Sequence, residues 1–215
     1  KKGRLGEFDL GTYNNEIYSL QSKKEFDRLI REELLYYHFQ PIVSCVTGEA
    51  IAYEALMRVN LPTISSPDTV LKMARAEGRL HDIERITIFK ASEAYLALLR
   101  DKLVRSSDVL FLNSIASQHM TEEENREFAN RFSMLQKNIV IEITEEEALD
   151  HHSLEVKRNT PGFTGMFALD DYGSGYSNDL SLLELSPLFI KIDLSIVRNI
   201  HTNPDKQQIV SNIVS

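Results

Sequence analysis

One cysteine, Cys45, is all that 215 residues contain. A single thiol rules out an intrachain disulfide and suits a reducing compartment. No apolar run approaches the roughly 18 residues of a membrane helix. The start, KKGRLGEFDLG, lacks the apolar core of a secretion signal, so the expected location is the cytoplasm. Positive charge is scarce too: 24 Lys and Arg face 32 Asp and Glu, a formal net charge of -8. A surface that tracks a nucleic-acid polymer needs clustered Lys and Arg. Any phosphate must therefore be held locally, by a metal or by one or two arginines. There is no internal repeat and no low-complexity segment. What remains is ordinary globular composition, 42% hydrophobic and 26% charged, in a chain long enough for one large or two small domains.

Residues 1–22 are polar, contain glycine and hold no sustained period, so they read as a linker or the tail of an upstream domain. From Lys23 the pattern KKEFDRLIREELL sets Phe26, Leu29, Ile30 and Leu34 on one helical face. YYHFQPIVS and AIAYEALMRV, separated by a CVTGE turn, predict two strands. Two helical patterns follow between Pro67 and Arg100, the first opened by Ser66-Pro67-Asp68. The period then changes. DVLFLNSI, NIVIEIT, GMFALDD and PLFIKID are short, nearly continuous apolar runs, with helical patterns such as TEEENREFANRFSMLQ separating the later ones. That alternation marks a parallel sheet covered on both faces.

Each run closes on polar residues: Glu54, Asn113, Glu142, the pair Asp170 and Asp171, then Lys191 and Asp193. In a βα barrel the C-terminal strand ends open on one face, so these groups would converge on one pocket. Taken singly, each has a plainer reading. Asp171 suits a turn or helix cap, Asn113 an Asx turn, and Glu142 a solvent-facing strand end; Glu54 suits the wet face of a helix and Lys191 the surface. Recurrence on successive strands is what favours a site. Several carboxylates so close repel strongly unless a cation neutralises them. Oxygen ligands without Cys or neighbouring His point to Mg²⁺ or Mn²⁺ over zinc. Two adjacent aspartates could each reach a different ion, and an ion pair is the arrangement that clamps attacking and leaving oxygens in phosphodiester hydrolysis. The GSG that follows lacks the Gly-Lys-Ser/Thr of a P-loop and reads as a bendable loop. His151 and His152 are adjacent, not one helical turn apart, and read as surface residues.

These residues match a known family. FQPIVS…GE…YEALMRV resembles the opening of EAL domains, bacterial phosphodiesterases acting on cyclic di-GMP; Glu54-Ala55-Leu56 is the namesake tripeptide. FLNSI, IVIEITE, FALDDYGSGYSN and LFIKID are similar to later motifs of the family, in its order, and the likeness runs over residues 23–215. The resemblance implies an α/β fold, a (β/α)8 TIM-like barrel with the first strand antiparallel. It implies hydrolysis of cyclic di-GMP to linear pGpG with two Mg²⁺ or Mn²⁺ ions. By motif position, Glu54, Asn113, Glu142 and Asp170 resemble metal ligands, Asp171 the ligand that brings in the second ion, and Lys191 the group that orients or activates the attacking water. Gln40 and Arg58 resemble substrate-binding residues, with Asp193 shaping the same pocket. Glu145 resembles the glutamate that braces the loop after the aspartates. That loop, Tyr172 to Asn178, is associated in the family with a homodimer and with metal affinity.

Departures are visible as well. Tyr172, Ser174 and Asn178 stand where Phe, Thr and Ser are more usual. The family continues with two further strands, carrying AEGVE-like and QGY-like motifs that this sequence does not contain, so a barrel lacking its last two strands is expected. KKGRLGEFD resembles the end of a GGDEF domain, which is often fused ahead of an EAL domain. The alternative function is a catalytically inactive receptor that binds cyclic di-GMP and signals through a partner. An enolase-like Mg²⁺ barrel would share carboxylates at strand ends, but not EALMR, DDYGSGYS and KID together.

Overall fold

The computed structural model describes residues 10–144, 151–158, 166–173, 182–183 and 185–214. Helix α1 spans Leu10–Glu32 and so starts well ahead of Lys23, within the stretch expected to be a linker. Leu10, Tyr13, Ile17 and Leu20 recur at helical spacing there, a short apolar period that the polar, glycine-containing context obscures. Once the packed half is nucleated, helix extends backward at one hydrogen bond per residue. Leu20 is still 62% exposed, whereas Phe26, Leu29 and Ile30 are buried. The chain reverses at Glu33, in the left-handed region with φ 48°. Leu34 therefore lies past the helix end, although it still packs against the core.

Two strands follow, β1 (Tyr36–Val43) and β2 (Ala50–Arg58), then helices α2 (Pro67–Ala76) and α3 (Leu80–Arg100). Beyond them run β3 (Val109–Asn113), α4 (Glu122–Arg131), β4 (Ile139–Thr144), α5 (His151–Arg158), β5 (Phe167–Tyr172) and β6 (Phe189–Ile192). The short α6 (Leu194–Val197) and α7 (Pro204–Val214) come last. The six strands form one sheet in sequence order. β1 is antiparallel to β2, and every later pair is parallel. Among the described residues no helix is long and apolar enough to cross a membrane.

Side chains of period two divide this sheet into an outer and an inner face. Ala55, Leu110, Leu112, Ile139, Ile141, Ile143, Phe167 and Leu169 belong to the large core beneath the helices. Ala52, Phe111, Val140 and Ala168 form a second, smaller cluster on the opposite face. The sheet curls around that inner face. The Phe111 and Phe189 rings meet at 5.2 Å, edge to face, although two strands separate β3 from β6, which a flat sheet would hold about 14 Å apart. Small residues at Ala52 and Ala168 leave room for that contact.

Capping sets where the helices begin. Ser66 accepts from Thr69 N at 3.2 Å to open α2. Thr121 and Glu124 form a reciprocal box at α4, with Thr121 N donating to the Glu124 carboxylate at 2.7 Å and Glu124 N to Thr121 Oγ1 at 3.2 Å. Thr121→Ala is expected to lower stability by about 1 kcal/mol. Denaturant unfolding checks this, and an unchanged midpoint would show that the box is redundant.

Candidate active site

One step of alternation beyond the inner apolar layer, the same face turns polar. Ala52 is followed by Glu54, Phe111 by Asn113, Val140 by Glu142, Ala168 by Asp170 and Phe189 by Lys191. Gln40 lies directly across from Glu54 in the β1–β2 register, and Asn113 is paired with Glu142 in the β3–β4 register. The sequence thus builds a polar ring on an apolar floor.

Lys191 Nζ stands at the centre of the ring. It lies 3.1 Å from Glu54 Oε2, 2.6 Å from Glu142 Oε1 and 3.2 Å from Asp170 Oδ1. Asn113 Nδ2 donates to Glu54 Oε1 at 3.4 Å. Glu54, Glu142 and Asp170 each offer an oxygen within 4.8 Å of the other two, a spacing that could hold a metal ion. Glu142 is 1% exposed; Lys191 Nζ faces its Oε1, and among the described residues Oε2 has no hydrogen-bond partner. Buried carboxylates are normally satisfied, and here one ammonium is shared among three of them, which leaves negative charge unbalanced at the ring.

Titration follows from this packing. Burial, with Glu54 and Asp170 nearby, pushes the Glu142 carboxyl up to about 8, although Lys191 pulls the other way. Burial works to lower Lys191, but the facing carboxylates of Glu142, Asp170 and Glu54 outweigh it and hold the ammonium above its ordinary range. Asp171 is raised by burial and by the charges of Asp170 and Asp193.

Asp171 adopts φ 55°, and the β5–β6 register shifts between Leu169 and Tyr172. That bulge resets the alternation, so Tyr172 packs in the outer core although simple counting would set it beside Asp170. The left-handed backbone, which Asp tolerates better than most residues, leaves the second carboxylate beside the ring and outside the three-oxygen cluster. Asp193 differs from the expectation of pocket lining alone. Its carboxylate accepts from Ser195 N at 2.8 Å and caps α6, which holds it below the usual carboxylate range. Arg58 ends β2 on the ring's face, two alternations beyond Glu54, with Nη1 donating to Met57 O at 2.8 Å. Glu145, Ser174 and Asn178 lie outside the described residues. His152 is exposed, as expected.

A buried ion pair behind the ring has no counterpart in the sequence reading. Glu84 on α3 and Lys157 on α5 are 1% and 2% exposed and 3.0 Å apart. The available signal was position: Glu84 sits on the apolar stripe of α3 with Ile88 and Ala91, where an unpaired carboxylate would be costly.

The EAL domain profile matches residues 23–215. "Signaling protein YkoW" of Bacillus subtilis is 26% identical over 222 residues, covering 100% of this chain and 27% of that protein. "Cyclic di-GMP phosphodiesterase NbdA" of Pseudomonas aeruginosa is 23% identical over 203 residues, covering 91% of this chain and 26% of its own length. The chain thus spans about a quarter of these relatives. The structure of Klebsiella pneumoniae BlrP1 with manganese and cyclic di-GMP at pH 6 superposes with a TM-score of 0.65 at 26% identity, over 84% of this chain and 46% of that one. The curled sheet with its antiparallel first strand is accordingly a half-barrel of the TIM-like type. With the profile covering nearly the whole sequence, the chain belongs to the EAL domain family.

Proposed function

We propose that the EAL domain to which this chain belongs hydrolyses cyclic di-GMP to linear pGpG with two Mg²⁺ or Mn²⁺ ions, in the cytoplasm and as a homodimer joined through the loop after Asp171. The observation that carries the reading is the cluster of Glu54, Glu142 and Asp170, whose oxygens lie within 4.8 Å of one another around the single ammonium of Lys191. Oxygen donors of this kind fit a hard divalent cation. Glu54, Asn113, Glu142 and Asp170 would hold one ion, and Asp171 would help to hold the second. Bound ions would polarise the phosphoryl oxygens and stabilise both the attacking and the leaving oxygen.

The chain's own residues supply the rest. Lys191, kept charged by three carboxylates, donates hydrogen bonds and so orients the water that attacks phosphorus. As water adds, one P–O ester bond of the ring breaks, and the sugar hydroxyl leaves with a proton. The Arg58 guanidinium matches two phosphate oxygens at the mouth of the site. Gln40, across from Glu54, offers an amide to the guanine edge, and Asp193 shapes the same pocket through its cap. Glu145 is assigned the bracing of the loop after the aspartates.

Chromatography of nucleotides after incubation of the full-length protein with cyclic di-GMP and Mn²⁺ tests this. pGpG is expected, with at least about a 10²-fold loss of rate after exhaustive chelation and recovery on adding Mn²⁺. Full activity after chelation would refute the metal requirement. Binding without turnover would favour the receptor.

A further inference from the structure

The buried pair Glu84–Lys157 does more than join two helices, because its other hydrogen bonds among the described residues all go to the segment after Asn113. Lys157 Nζ donates to Ile115 O at 2.6 Å and to Gln118 O at 2.7 Å, as well as to Glu84 Oε1 at 3.0 Å. Glu84 Oε2 accepts from Ile115 N at 2.9 Å, and its Oε1 also accepts from Ser114 Oγ. Ser114 N in turn donates to Glu142 O at 3.1 Å. One ion pair, 1% and 2% exposed, thereby fixes both sides of the turn leaving β3 and ties it to the strand that carries Glu142. Asn113 is the residue immediately ahead of this turn.

We infer that Glu84 and Lys157 are positioning residues that hold Asn113 in register with Glu54 and Glu142, and so set the site's affinity for a divalent cation. The inference rests on the metal role proposed for Asn113. Outer groups that orient ligands commonly govern metal affinity by about 10–100-fold. Here the outer group is an ion pair acting through main-chain atoms. A lone carboxylate facing the turn would be a poorer anchor. With both charges present, the turn's N–H and two of its C=O groups are satisfied where water cannot compete.

The test is Mn²⁺ binding to the full-length protein, read from the loss of the free-ion paramagnetic resonance signal. Glu84→Leu with Lys157→Met removes both charges at similar volume, the exchange that buried ion pairs tolerate best for folding, but leaves the turn unanchored. Its Mn²⁺ dissociation constant is expected to rise by about 10–100-fold. In an Asn113→Ala background the same exchange is expected to add less than about threefold, because coupled residues do not act independently. A folded double variant with unchanged affinity, or with losses that simply multiply, would overturn the inference and leave the metal site standing. If the double variant does not fold, Glu84→Gln, which removes the carboxylate shared by Lys157, Ser114 Oγ and Ile115 N and leaves a single amide oxygen, is read by the same criteria. Absence of Mn²⁺ binding to the unaltered protein would instead overturn the proposed metal site and this inference with it.

Discussion

Replacing Asp171 by asparagine is expected to slow turnover of cyclic di-GMP by about 10²–10³-fold while changing its affinity by less than about threefold. The substitution is structurally clean. Asp171 sits at φ 55° on the β5 bulge, and Asn is among the few residues that accept that region. Its carboxylate is not one of the three oxygens that cluster around Lys191. It is close enough to the ring for Asp170, Asp193, Lys191 and Glu54 to influence its titration. In the proposed mechanism a group so placed would lie beside the first ion, where charge develops in the transition state, while Gln40 and Arg58 would hold the substrate. Comparing single-turnover rates with equilibrium binding separates the two effects. Equal losses in both would make Asp171 a substrate-binding residue, and unchanged turnover would remove it from the chemistry.

That the ring residues share one face of the sheet was legible because alternation and motif order agree. Glu54, Asn113, Glu142, Asp170 and Lys191 all lie on the face opposite the main core, a consequence of period two that can be counted in the sequence. The parallel sheet with an antiparallel first strand followed from the family resemblance, and the chain folds that way. Less legible was whatever depends on one backbone dihedral or on contacts remote in sequence. Asp171 and Tyr172 change sides at a bulge that no pattern announces. Asp193 reads as pocket lining until its capping bond to Ser195 is seen. The start of α1 was lost because its short apolar period, Leu10, Tyr13, Ile17 and Leu20, sits among glycine and polar residues. Glu84 and Lys157 are 73 positions apart, and only the packing of α3 beside α5 reveals them as partners.

The buried Glu142 makes both stability and metal affinity functions of pH, in opposite directions. Its carboxyl titrates near 4.5 in the unfolded chain and near 8 in the fold. Between those values the folded state keeps a proton that the unfolded state has released, so the contribution is complete below about pH 4.5 and is lost as pH rises toward 8. For the metal-free protein the loss is on the order of 3–5 kcal/mol, so its melting temperature is expected to fall between pH 5 and 8. A divalent ion binds the deprotonated form, which reverses the trend. Mn²⁺ affinity is expected to rise by up to about tenfold per pH unit until Glu142 is ionised near pH 8. Glu142→Gln removes the titrating group while keeping its shape. The expected results are a nearly flat melting temperature across that range without metal, a Mn²⁺ affinity lower by about 10²-fold, and no pH dependence from this position. Melting curves in chelator and Mn²⁺ titrations at several pH values measure both effects. If the unaltered protein melts at one temperature from pH 5 to 8, or if Glu142→Gln keeps the slope, then the buried carboxylate is already neutralised by Lys191, and its missing partner is not a metal ion.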